Sequence, residues 1–264
     1  VLFWHNHFVS SYSAINEQST SIARQNIMFR ELGSGNFKML TKSVIKDPAM
    51  LNYLDNEFSE KGKPNENLSR ELMELFVLGE GNYSEKTVRE GARALTGYSV
   101  NKIKNTSFFF DGWRHDNGVK NIFDRSGDFN GDQFVDILFE QANASEFLTR
   151  KFWRYFVSEV IEDEDEIRFI AKRFKTSDFD IRTLLRSVLT SKTFWDESVR
   201  ATIVKSPVDF LIGTIRSTGF LPADWNTLPN KLTLLGQNLF EHPNVAGWPG
   251  GQSWITPSGL LNRS

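Results

Sequence analysis

The chain contains no cysteine, which excludes disulfide staples, thiolate nucleophiles and cysteine-ligated metal centres. A cysteine-free chain suits the cytosol and the cell envelope equally. No run of about 18 apolar residues occurs, so no segment reads as a membrane-spanning helix. Neither sign of charge dominates: 31 Lys and Arg stand against 33 Asp and Glu, a formal net charge of -2. Spread along the chain, these charges give no electrostatic footprint for nucleic acid. Histidine is scarce, with four residues in 264. A Gly-x-Ser-x-Gly elbow, a Walker loop, a dinucleotide fingerprint and a His-Glu-x-x-His pair are all missing. The commonest hydrolase, nucleotide and zinc-protease readings therefore lose support.

What the chain does have is aromatic bulk, 23 Phe and 7 Trp, and helical periodicity punctuated by caps. Ile22 to Leu32 reads as an amphipathic helix stopped at Gly33, and Asn36 to Ile45 as another. Pro48 to Leu54 is a short third with proline in its first turn. Asn65 or Asn67 can cap a helix from Leu68 to Leu78, and Ser84 caps one from Glu85 to Leu95. Val100, Ile103 and Phe108 to Phe110 suit a small β-hairpin near residues 98–110, turning near Asn105. Trp113 to Asn130 reads as loop. Helices resume at Gly131 to Gln141, Ser145 to Val157, Asp163 to Phe174, Ile181 to Leu189, Val208 to Thr218 and Leu228 to Phe240. The expected class is mainly α, a multi-helix globular array with one small β-hairpin. The pattern predicts a single helical domain over 1–264, with 111–130 the place where a lobe boundary would fall. The opening at Val1, without Met or a basic leader, reads as the central and C-terminal portion of a longer protein.

The stretch from Pro64 to Tyr98 carries the sharpest clue to chemistry. Stepping 100° per residue from Leu68 gives an apolar arc of Leu68, Leu72, Leu75 and Phe76, and Glu71 falls inside it, with Glu74 and Asn67 at its border. An unpaired carboxylate in apolar surroundings is costly, so Glu71 predicts a cation, a metal or a proton nearby. Two readings follow. Glu71 or Glu74 is a general base or metal ligand, or Arg89 or Arg93 reaches across from the next helix to make a structural ion pair.

Trp4-His5-Asn6-His7-Phe8 offers a His-x-His pair. In an extended segment His5 and His7 would share a face and could grip one metal; on a helix their rings diverge by about 200°. Trp4 and Phe8 at i, i+4 favour the helix, hence one functional and one core histidine. Arg114-His115-Asp116-Asn117-Gly118 exposes a histidine beside a carboxylate, suited to proton transfer or metal binding and equally to a plain turn. Asp128 to Asp132 resembles the start of a calcium loop, but Gln133 stands where that loop needs glycine, so capping by Asn130 or Asp132 is the better reading. In Gly247-Trp248-Pro249-Gly250-Gly251-Gln252-Ser253-Trp254, two large rings either stack on a sugar or latch the tail to the core, and burial is the better reading.

Taken in order, these segments resemble the bacterial domain of unknown function 1800 family. The resemblance rests on Trp4 to Phe8, Leu54-Asp55-Asn56, Pro64 to Asn67, Arg70-Glu71-Leu72, Glu74-Leu75-Phe76 and Ala92 to Gly97. It continues with His115-Asp116 before Gly118 and Lys120, Lys151 to Trp153, Lys205-Ser206-Pro207, Leu234 to Gln237, and Gly247 to Gly251. It implies a mainly helical bacterial protein made with an export signal, hence periplasmic, envelope-associated or secreted, and often encoded beside a sulfatase-like partner. It implies no activity. In two departures from the pattern this resemblance implies, Tyr98 stands where relatives usually carry Trp, and His242 where they tend to have Pro.

These observations predict a polar pocket formed by the His-bearing N-terminal segment, the Asn65 to Glu74 helix start and the His115 loop. It would bind a divalent metal or a polar ligand, with hydrolysis as the candidate chemistry. Glu71 and His115 are the candidate catalytic residues. Asn65, Asn67, Arg93 and Trp248 are candidate ligand contacts, and His5, His7, Glu71 and Glu74 candidate metal ligands. The alternative is a non-enzymatic envelope protein that contacts a glycan or protein partner through Trp113, Trp248 or Trp254.

Overall fold

The computed structural model describes residues 1–16, 18–101, 107–257, 259 and 261. Twelve α-helices and two small antiparallel sheets occur among them. The fold is mainly α with a small hairpin, as the periodicity predicts.

α1 (Leu2–His7) is aromatic all round and too short to hold itself together in water, so packing must fix it. Trp4, His5 and His7 are all buried, and Trp4 Nε1 donates to the Gly33 carbonyl at 2.7 Å. Gly33 ends α2 (Ser19–Leu32). α3 (Phe37–Val44) and α4 (Pro48–Tyr53) begin where expected, capped by the side chains of Asn36 and Asp47. Trp4 stacks on Phe37 and Phe8 packs at a tilt against it, and Phe37 in turn meets Phe139 and Phe174. Much of the large Phe complement goes into this ring-on-ring core.

α5 (Asn67–Glu71) continues without a break into a π-helical stretch, Leu72–Val77. The wider winding turns the chain by less than the 100° per residue of an α-helix. The buried face therefore becomes Leu72, Met73, Phe76 and Val77, while Glu71, Glu74 and Leu75 are only half-buried. Neither Asn65 nor Asn67 caps this helix; its N-cap position is Glu66, and Asn65 Oδ1 instead accepts from the Asn67 amide. α6 (Glu85–Ala94) follows, capped by Ser84 as expected.

β1 (Tyr98–Val100) pairs with β2 (Phe108–Phe110), Tyr98 opposite Phe110. Ile103 and the turn near Asn105 lie outside the described residues. The segment expected to be loop contains a second hairpin, β3 (Lys120–Ile122) with β4 (Arg125–Gly127). With three residues per strand and Ile122 as its sole buried aliphatic, it left no alternation to detect.

α7 (Gly131–Glu140) opens on a complete capping box of Asn130 with Gln133. α8 (Asn143–Phe156), α9 (Glu164–Thr176) and α10 (Ile181–Leu189) pack in succession. α11 (Pro207–Thr218) and α12 (Leu228–Leu234) come last. The α12 pattern had extended to Phe240, but Gly236 adopts a φ of 90° and stops the helix early. From there the tail crosses back to α1. Asn6 Nδ2 donates to the Trp248 carbonyl at 3.2 Å and Asn6 Oδ1 accepts from the Trp248 amide at 2.8 Å. A Cβ on Gly247 would lie 2.4 Å from Asn6 Oδ1, so only glycine permits this approach.

Candidate functional site

A helix end creates the first element of the site. Because the π-helical stretch stops at Val77, the carbonyls of Leu75 and Phe76 receive no main-chain amide among the described residues. Side chains from far along the chain take them instead. Lys151 Nζ on α8 donates to Leu75 at 2.8 Å, and His7 Nε2 donates to Phe76 at 3.1 Å. A carbonyl can only accept, so Nε2 carries the His7 proton and Nδ1 presents its lone pair. That lone pair faces Lys151 Nζ at 3.2 Å.

Burial dominates the electrostatics of this pair. His7 is held well below the usual imidazole range, first by desolvation and then by the Lys151 charge, against the Phe76 bond. Lys151 is lowered to about 8 by desolvation, with Arg154 adding repulsion. Imidazole is thus neutral at pH 7, and the lysine can shed its proton near neutrality.

The pair borders a cleft of about 490 Å³. α1 contributes Asn6 and His7, and α8 contributes Lys151, Arg154 and Tyr155. Lys205, Ser206 and Asp209 enter from the start of α11, with Gln237 from beyond α12. The tail closes the remaining side with Trp248, Pro249, Gly250 and Gly251. Glu159 lies against that tail. A Cβ on Gly251 (φ 53°) would sit 1.8 Å from Glu159 Oε2, so glycine is required twice over, for conformation and for space. Desolvation raises the Glu159 carboxyl despite its bond to the Gly251 amide.

The structure divides the residues expected to share one pocket among four places. His7 and Trp248 line the cleft. His5 points elsewhere, as the helical reading requires: its ring packs 4.4 Å from His242 and 5.6 Å from Trp248, and its Nε2 accepts from the Phe240 amide. Desolvation lowers His5 to about 3 and His242 to about 4.

Glu71 is not fully enclosed by the core. It is half-buried, raised by desolvation and by neighbouring Glu74, and no ion pair reaches it among the described residues. The change of winding at Leu72 is the physical reason. Glu74 accepts from the Tyr83 hydroxyl. Asn65 and Asn67 bond each other locally, and Asn67 is exposed.

Arg93 and His115 belong to the fourth group. Arg93 pairs not with Glu71 but with Asp116, at 2.7 Å, and with Glu90, at 3.0 Å. That guanidinium holds Asp116 down at about 2. His115 is buried, and its Nδ1 donates to the Thr96 carbonyl at 2.8 Å. These contacts bind the loop after β2 to the end of α6, an architectural use of the turn-forming run. Among the described residues no group of three or more His, Asp or Glu could hold a metal ion.

Sequence reasoning missed Lys151 as a site residue. Its spacing on α8 marks it only as a helix-face lysine; what sets it apart is the Leu75 carbonyl it meets 76 residues away, which one helix's periodicity cannot reveal.

The fold and cleft define a mainly helical protein whose N-terminal helix and glycine-rich tail border a cleft lined by a half-buried lysine. The chain belongs to the DUF1800 family, described as protein of unknown function, whose model matches residues 1–264. No curated protein and no solved structure matches the chain.

Proposed function

We propose that this protein binds a small polar ligand in the cleft, with Lys151 and His7 as its proton-handling pair. One observation carries the reading. Five of the segments on which the family resemblance rests, far apart in sequence, meet here: Asn6-His7, Lys151, Lys205-Ser206, Gln237 and Trp248 to Gly251. Structural need alone accounts for single contacts, but not for this convergence on an open, mixed-charge cavity. A neutral Lys151 is a base for a bound water or hydroxyl, which supports hydrolytic or related proton-transfer chemistry. The donor set favours a polar ligand over a divalent metal.

The test is a thermal-shift screen of the parent protein and Lys151→Met against small polar and anionic compounds. The expected result is stabilisation of the parent by at least one compound and loss of that shift in the variant. An equal response in both proteins removes the cleft from consideration.

A second reading rests on Trp113, which is 95% exposed and lies a few residues after the exposed Phe109 and Phe110 in the chain. Such a surface suits a glycan or a protein partner, a sulfatase-like neighbour included. Trp248 and Trp254 are buried and do not serve it. The resemblance also supports an exported, envelope-side location, checked by fractionating cells that express the complete protein.

A further inference from the structure

We infer that Lys151 is a reactive amine that forms an imine with a small carbonyl compound bearing a carboxylate, of the α-keto acid or glyoxylate class. This rests on the cleft being the ligand site proposed above.

Hydrogen-bond geometry carries the argument. Beyond Cε, an amine nitrogen has three positions. Two neighbours claim two of them, the Leu75 carbonyl at 2.8 Å and His7 Nδ1 at 3.2 Å. Both are acceptors, because the single imidazole proton is committed on Nε2 to Phe76. A neutral amine has two protons, and both neighbours demand one. The lone pair is therefore left in the third position, where neither neighbour can consume it. Lys151 lines the cleft, so the network leaves the nucleophilic pair available to a ligand there.

Charges around the nitrogen act in both directions. Burial and Arg154 favour the neutral amine, as does the Lys205 charge in the cleft wall. The Phe147 ring, 4.9 Å from Nζ, favours the ammonium, as do Glu159 and Asp209. With the balance at about 8, on the order of a tenth of the lysine is neutral at pH 7. Arg154, although paired with Glu162 at 2.7 Å, and Lys205 both line the cleft and place positive charge near a ligand carboxylate.

In the reaction the nitrogen lone pair forms a bond to the carbonyl carbon, and the C=O π pair moves to oxygen. The two amine protons are transferred to that oxygen, which leaves as water while the N=C double bond closes.

The test incubates the full chain with glyoxylate and cyanoborohydride, the hydride donor that reduces an imine to a stable carboxymethyl-lysine. Digestion and mass spectrometry then give a rate for every lysine. Lys151 is expected to react at least about ten-fold faster than any other lysine at neutral pH. A rate within ten-fold of the surface lysines overturns the inference. Because the parent protein is labelled, no variant need fold. If polar compounds stabilise the protein through the cleft while Lys151 stays unlabelled, imine formation fails and the binding site stands. If Lys151 labels selectively while no polar compound stabilises the protein, the reactive amine stands and the binding reading fails.

Discussion

Lys151 and His7 meet with Nζ 3.2 Å from Nδ1, 144 residues apart in the chain, each also closing one carbonyl of the same helix end. His7 could be singled out from its own segment, but Lys151 could not be read as functional from its own helix. Together they satisfy two backbone acceptors, fix an imidazole tautomer and place an amine at a cleft.

Replacing His7 with Phe tests the cost of this arrangement. The ring packs among Phe3, Phe8 and Phe76, so apolar volume is largely kept while the Phe76 carbonyl loses its donor. We expect a loss of about 1–3 kcal/mol, the cost of one buried unpaired acceptor. Urea unfolding should show a lower midpoint at unchanged slope, and parental stability would mean that the bond contributes nothing.

The depressed Lys151 pKa predicts a stability change on the alkaline side. The folded protein releases this proton near pH 8 and the unfolded chain near the ordinary 10.5. Between those values the unfolded state binds more protons, so this group makes stability rise with pH. Its full range is on the order of 3 kcal/mol. Subtracting the pH profile of Lys151→Met from that of the parent should expose the rise, and a flat difference would show that the lysine titrates normally.

On the acid side, His5 and His242 hold the tail. Their folded values of about 3 and 4 lie below the ordinary 6.5. They therefore contribute stability above pH 6.5 that is lost as pH falls toward 4, when the unfolded state takes up the protons first. The two rings face each other and Trp248, with the backbone of Ser10 and His5 and the Glu241 charge nearby. Asp47, raised to about 7 by burial, acts in the opposite sense over the same range, so the comparison must be between proteins. His242→Phe should retain Trp248 in its buried emission band to a lower pH than the parent, and coincident transitions would sink this assignment.

Gly251 and Glu159 predict a coupled pair. Gly251→Ala should destabilise the tail, because the new Cβ would meet Glu159 Oε2 at 1.8 Å and the backbone holds a φ of 53°. In a Glu159→Ala background the steric share disappears and only the backbone share, about 1 kcal/mol, should remain. Additive losses in the double variant would mean that the carboxylate moves aside freely.

Most helices were legible because their caps are local. Asn36, Asp47, Ser84, Asn130, Asp163 and Asp180 each accept the amide three residues on, a signal confined to four residues of sequence. The candidate site was legible only in part. His7 and Trp248 were picked out and lie together, whereas Glu71 was placed by an α-helical period that the chain abandons at Leu72. Nothing in the composition of Leu72–Val77 announces the π winding. Lys151, Lys205 and Gln237 stayed hidden because their meeting depends on chain closure rather than on spacing.

The two bonds between Asn6 and Trp248 span 242 residues, and they put a time order on the molecule. A growing polypeptide can assemble its aromatic centre while the segment around Trp248 is still in the ribosome, but the cleft is not closed until that segment arrives. Ligand capture would thus depend on the 247–251 segment having docked, and a variant lacking that segment would keep much of its helical circular dichroism yet have nowhere to hold a guest.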